Sequence, residues 1–245
     1  MTEGYQNEID FINEINNKKV KELNPLLYDF VKTLYPTIKD NEVITAKKYG
    51  RYARTDIVIT IRNKNKGLSI KMGYKNSVHV EHLNTFKRYL ERKGITKNTI
   101  DKLYRYIYSD GTNNNTGEVR LSNAEYIEKY EEDIKELNII FNLLKSKLID
   151  RFLIETDINY RVKVDAIIHG TPNDFIWVTS DDVKKYLENE DIISTSLHAG
   201  KLYIQSWNKN IVRNTKYEHC RDYIQVKWFS MYDDLINIMS RRSNK

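Results

Sequence analysis

Between Thr55 and His82 the chain reads TDIVITIRNKNKGLSIKMGYKNSVHVEH, and this stretch decides the fold. Thr55 to Arg62 is rich in β-branched residues, Leu68 to Met72 is a second short apolar run, and the turn-forming NKNKG divides them. Two adjacent strands are expected, with Val43 to Tyr49 as a third strand before them. Upstream, Tyr5, Ile9, Ile12 and Ile15 recur at helical spacing over Tyr5 to Asn17, and Asn24 to Tyr35 reads as a second helix with Pro25 in its first turn. Downstream, Val80 to Lys93 places Leu83, Phe86 and Leu90 on one helical face, and Thr96 to Tyr108 reads as a further helix.

The hairpin carries chemistry as well as structure. Hydrolysis of a phosphodiester at neutral pH calls for a divalent metal and a group that orients or deprotonates the attacking water. Hard cations such as Mg²⁺ take carboxylate oxygens. An aspartate on one strand and a carboxylate-x-lysine on the next meet this need compactly, because residues two apart share a strand face. Asp56, followed thirteen residues later by Ser69-Ile70-Lys71, has that geometry, with Ser69 where the second carboxylate would stand.

These residues resemble the PD-(D/E)XK nuclease superfamily, the restriction-endonuclease fold. Helices before strands, Asp56 in TDIVI, and the SIK strand followed by a helix carry the resemblance, which covers the chain up to about Ile95. Two departures stand out: no proline precedes Asp56, and serine replaces the acid at Ser69. In superfamily members with the same serine-x-lysine triplet the missing carboxylate has moved to the following helix, so the resemblance implies Glu81, near the start of the expected helix, as its substitute. It further implies Asp56 and Glu81 as Mg²⁺ ligands with the Ile70 carbonyl as a third oxygen, and Lys71 as the group that orients water or stabilises charge. Glu8, with Asp10 as a near rival, matches an additional acid on the first helix. Gly73, Asn76, Ser77 and His79 are expected on the connecting loop, where they would hold the scissile phosphate.

Elsewhere the sequence offers weaker patterns. Asp110 to Gly117 (DGTNNNTG) is a polar, glycine-bearing stretch that suits a seam between residues 1–117, a restriction-endonuclease-like domain, and residues 118–245, a C-terminal α+β domain for DNA binding or dimerisation. The expected fold class is therefore α/β (α+β), a mixed sheet flanked by helices. Ser122 to Arg151 is strongly helical. Strands are expected at Val162 to His169, Phe175 to Thr179, Lys201 to Trp207 and Tyr223 to Trp228, with helices at Ser180 to Glu188, capped by Ser180, and Met231 to Met239. Asp165 with Gln225-Val226-Lys227 forms a second, more distant acid-and-lysine pattern. His79, Glu81 and His82 lack the HExxH spacing of a zinc helix.

Trp207, Asn208, Lys209, Asn210, Arg213, Lys216, Arg221 and Lys227 mix phosphate-binding cations, amides and a stacking indole, the ingredients of a DNA-contacting surface. At least two of Trp177, Trp207 and Trp228 are expected in the core. A formal charge of +6 over 245 residues, with 18 tyrosines, leans towards a polyanionic partner, here double-stranded DNA. One cysteine, Cys220, excludes an internal disulfide and a cysteine-built zinc site. No apolar run is long enough to cross a bilayer, and MTEGYQNEID lacks the regions of a signal peptide, so a cytoplasmic location is expected. The expectation is a Mg²⁺-dependent, type II-like restriction or phage-defence endonuclease. A palindromic target would imply a homodimer, since protein twofold symmetry mirrors that of the site. The alternative is a non-catalytic nucleic-acid-binding protein on an eroded nuclease fold.

Overall fold

The computed structural model describes residues 2–50, 54–73, 76–155, 162–208, 211 and 216–243. Helices α1 (Glu3–Ile15) and α2 (Pro25–Leu34) lead into strands β1 (Thr45–Lys48), β2 (Ile57–Ile61), β3 (Lys64–Lys71) and β4 (Ser77–His82). A helical stretch follows: α3 (Leu83–Arg92), α4 (Lys97–Tyr108), α5 (Asn123–Lys129), α6 (Glu131–Leu143) and α7 (Lys145–Ile149), closed by a π-helical turn over Asp150–Ile154. Then come β5 (Val164–Thr171), β6 (Asp174–Thr179) and α8 (Ser180–Asn189). Strands β7 (His198–Ala199), β8 (Leu202–Ser206) and β9 (Tyr223–Trp228) precede the last helix, α9 (Met231–Ser243). No helix among the described residues is long and apolar enough to cross a membrane.

These elements form two compact units, neither contiguous in sequence. The first comprises Met1–Lys75, Asp150–Tyr186 and Ser230–Lys245; the second comprises Asn76–Ile149 and Leu187–Phe229. Compactness therefore does not divide at Gly117. The reason is that β5, far along the chain, returns to pair with β3, while Asp110–Gly117 is a loop inside the second unit, where the Asp110 carboxylate accepts from the amides of Thr112 (2.9 Å) and Gly117 (3.0 Å).

The first unit is built on a five-stranded mixed sheet in the order β1-β2-β3-β5-β6. Its pairs are antiparallel except β3 with β5, which is parallel and sets Ser69 opposite Ile167 and Lys71 opposite His169. Successive side chains of a strand face opposite ways. Ile57, Ile59, Leu68, Ile70, Ala166 and Ile168 therefore share one face, and all are buried with Phe11 and Ile15 of α1 and Leu27, Phe30 and Val31 of α2. The Phe175 ring meets Phe11 and Phe30 edge-on, with centroids 5.5 and 5.8 Å apart, and Trp177 meets Phe30 at 5.0 Å. Asn24 caps α2 by accepting from the Leu27 amide, with Pro25 at the first helical position, as the sequence indicates. For α8 the capping side chain is Thr179 rather than Ser180: its hydroxyl accepts from the Asp182 amide, and Ser180 Oγ donates instead to the Val164 carbonyl at 2.7 Å.

A bulge interrupts the parallel pairing at Gly67/Leu68. Asp165 closes it, accepting from the Gly67 amide at 2.9 Å and from Lys66 Nζ at 2.8 Å. A side chain on Gly67 would collide with the Lys163 carbonyl oxygen, which leaves room only for glycine. Asp165 thus serves the sheet, and Gln225-x-Lys227 lies on β9 of the second unit, so the distant acid-and-lysine pattern is accounted for structurally.

The second unit holds an antiparallel sheet ordered β4-β9-β8-β7. Val80, Glu81 and His82 do not begin a helix. They are the end of β4, with Val80 opposite Gln225 and Glu81 opposite Ile224, because the alternating SVHVEH run finds a partner strand in β9. The amphipathic helix starts at Leu83, with the His82 ring accepting from the Asn84 amide. Gln225 is spanned by a row of amides and hydroxyls: Gln205 donates to it at 2.9 Å and it donates to Ser77 Oγ at 3.0 Å. Trp228 is wholly buried. Replacing the buried Phe30 by Ala would remove the ring that joins Phe175 to Trp177 and should cost about 3–5 kcal/mol of unfolding free energy, read as a lower urea midpoint with unchanged slope.

Candidate active site

At one end of the first unit's sheet, β1 ends, β2 begins and β3 ends, so residues distant in sequence meet there. Asp56 immediately precedes β2, and its amide donates to the Leu68 carbonyl at 2.8 Å, locking it against β3. Its carboxylate is held by three groups from the facing strand. The Ile70 amide donates to Oδ2 at 2.6 Å, Ser69 Oγ donates at 3.3 Å, and Lys71 Nζ stands 3.7 Å away. The hairpin register expected from Asp56 and Ser69-Ile70-Lys71 is thus present side chain by side chain. Ser69, at the position of the missing acid, is a buried hydroxyl that satisfies Asp56.

Glu8 of α1 completes the arrangement. It lines a cleft of about 660 Å³ together with Tyr5, Lys48, Tyr49, Gly50 and Asp56, and Lys48 at the end of β1 donates to its carboxylate. Burial lifts the Glu8 carboxyl above the ordinary carboxylate range. The Lys48 ammonium pulls it partly back, and the negative charge of Asp56 lifts it again. That mutual influence places the two acids within electrostatic reach of one another.

Glu81 stands in different surroundings. It lies on β4 of the second unit with its side chain largely buried, its carboxylate 3.3 Å from His79 Nε2. It belongs to the β4 strand and precedes the His82 cap of α3 rather than standing in the helix. Among the described residues no three His, Cys, Asp or Glu side chains form a ready-made metal cluster. What the cleft does offer is hard oxygen donors, the carboxylates of Glu8 and Asp56, with no imidazole or thiolate among its described lining residues. This donor chemistry suits a hard, oxygen-preferring cation such as Mg²⁺.

The remaining candidates sort by exposure. Asn76 accepts from the Trp228 amide through its carbonyl, and Ser77 is engaged by Gln225. Trp207 is 45% exposed and meets Tyr223 edge-on at 5.6 Å. Lys216 sits over the Tyr217 ring and Lys227 over the Phe229 ring. Arg221 is a correction: at 2% exposure, with Nη1 3.4 Å from the Asn208 carbonyl, it is placed to brace the loop after β8 and offers no charge to solvent. Lys209, Asn210 and Arg213 lie outside the described residues.

Two residues in this region were not singled out from sequence. Lys48 shares the face of β1 with buried Ala46, and a lysine on an inward face calls for a carboxylate partner, a signal that alternation in TAKK does contain. His169 stands opposite Lys71 on β5 and its Nε2 lies 3.0 Å from the carbonyl oxygen of Gly73, just beyond Lys71, a placement that only the long-range pairing of β3 with β5 creates.

No family profile matches the chain, and no curated protein matches it in sequence. Among solved structures it is similar to the crystal structure of the restriction endonuclease MspI in complex with its cognate DNA. The identity is 12%, the TM-score is 0.57, and the match covers 91% of this chain and 87% of that one. The fold is therefore restriction-endonuclease-like.

The electrostatics of Glu8 can be checked directly. In a carboxyl ¹³C titration Glu8 should protonate above the ordinary glutamate range, and Lys48→Met should move it higher still, because the ammonium is the leading influence that lowers it. A downward move on substitution would contradict the pairing.

Proposed function

We propose that the chain is a metal-dependent endonuclease that hydrolyses phosphodiester bonds of double-stranded DNA, of the sequence-specific restriction or phage-defence kind. The observation that carries this reading is the convergence of Asp56, Lys71 and Glu8 on one end of a sheet whose fold is shared with an enzyme solved on its cognate DNA.

Asp56, Glu8 and the Ile70 carbonyl would hold Mg²⁺, which supplies charge neutralisation at the phosphate and a more acidic bound water. Asp56 is held in place by the Ile70 amide and the Ser69 hydroxyl, so its second oxygen is directed by the fold rather than by a flexible rotamer. Lys71 stands beside Asp56, where its ammonium can orient the attacking water and stabilise the charge that develops on the phosphate. Glu8 is the second carboxylate in this reading because it shares the cleft with Asp56, whereas Glu81 faces His79 on β4. Trp207, Lys216 and Lys227 of the second unit supply a ring and two cations for DNA contacts, and Asn76, Ser77 and His79 lie at the start of that unit's β4 strand. A palindromic target would be met by a homodimer.

The test is cleavage of methylated and unmethylated plasmid DNA with Mg²⁺ by the native chain and four variants. Lys71→Ala and Asp56→Asn should each lose at least about 10²-fold in rate, Glu8→Gln should lose a comparable amount, and Glu81→Gln should lose less than Glu8→Gln. A larger loss in Glu81→Gln would make that residue the displaced acid. Salt-sensitive binding without cleavage of any DNA would favour a non-catalytic binding protein instead.

A further inference from the structure

The cleft that holds Glu8 and Asp56 extends beyond them along Tyr5, Lys48, Tyr49 and Gly50, and it contains a cation that the hydrolytic scheme leaves unused. Lys48 is held three ways. Its backbone sits in β1 opposite Ile57, its ammonium bonds the Glu8 carboxylate, and the same ammonium lies 3.7 Å from the centroid of the Tyr5 ring. About a third of its side chain (32%) remains open to solvent.

Charge counting gives this arrangement a meaning. Among the described residues, two carboxylates, Glu8 and Asp56, each face one ammonium group, Lys48 and Lys71. A polynucleotide strand entering it brings one negative charge per phosphate. That phosphate competes with Glu8 for Lys48, and an exchange of partners costs little: the lysine keeps an anion, and its Tyr5 contact persists because a ring face attracts a cation whichever anion lies opposite. Glu8 gains what it lacks in the unbound chain, a carboxylate no longer occupied by an internal cation.

We propose that Lys48 is a substrate-phosphate contact, its ammonium passing from Glu8 to a backbone phosphate of the bound strand and so releasing Glu8 only when substrate is in place. The inference rests on the nuclease reading above and deepens it: Lys48 is a positioning residue, steadied by Tyr5, that makes the availability of an acid conditional on substrate.

The test is the salt dependence of duplex binding, measured by fluorescence anisotropy in EDTA so that no cleavage intervenes, for the native chain, Lys48→Met, Lys48→Arg and, as a control, Lys97→Met at a lysine paired with Asp101 on α4. Each phosphate neutralised contributes about −0.9 to the slope of log affinity against log salt. Lys48→Met should flatten the slope by about that amount, with Lys48→Arg and Lys97→Met close to native. Should Lys48→Met fold poorly by circular dichroism, Lys48→Gln takes its place. A slope unchanged in both Lys48→Met and Lys48→Gln, with native-like duplex binding, overturns the inference alone. Failure of the native chain to bind any duplex overturns it together with the nuclease reading.

Discussion

The parallel pairing of β3 with β5 is the constraint on which the first unit depends. It sets Gly67 opposite Val164 and Lys71 opposite His169, residues separated in sequence by the whole of α3 to α7. Parallel neighbours need a crossover, and here that crossover contains the helices and the β4 strand of the second unit. After the bulge at Gly67, which Asp165 closes, the pairing runs on in register through Ser69 to Lys71. Without this pairing β1-β2-β3 would be a three-stranded sheet with β3 as an unpaired edge, the very strand that carries Ser69 and Lys71.

How much of this was legible in the sequence follows from the range of the interactions. Asp56, Ser69 and Lys71 were readable because a hairpin is local: alternation fixes the faces, and the turn fixes the register. The first turn of α2, with Pro25, was readable for the same reason. The β4 strand was not, since each of its six residues is only half-buried and its apolar signal runs on into Leu83 and Phe86 of α3; only β9, distant in sequence, shows that SVHVEH is a strand. The compact units, likewise, follow strand pairing rather than the loop at Gly117. A polar loop marks a surface, but a unit boundary is decided by which strands pair, and composition carries no record of that. Glu8 was visible as a candidate on α1, while its partner Lys48 required the strand face to be taken seriously.

Ser69 is the residue at which the local and the functional arguments meet. A carboxylate there would stand beside Asp56, and at separations of a few ångströms two like charges interact unfavourably by several kcal/mol unless water, a cation or a metal screens them. The hydroxyl reverses the sign, because it donates a hydrogen bond to Asp56 where an ionised acid could only repel it. Lys71 then stands by Asp56 and Lys48 bonds Glu8, and the hairpin can fold to its final geometry before any metal or substrate arrives. The serine thus removes one anion from the site and also keeps the remaining aspartate fixed, so that the orientation of Asp56 is a property of the fold itself.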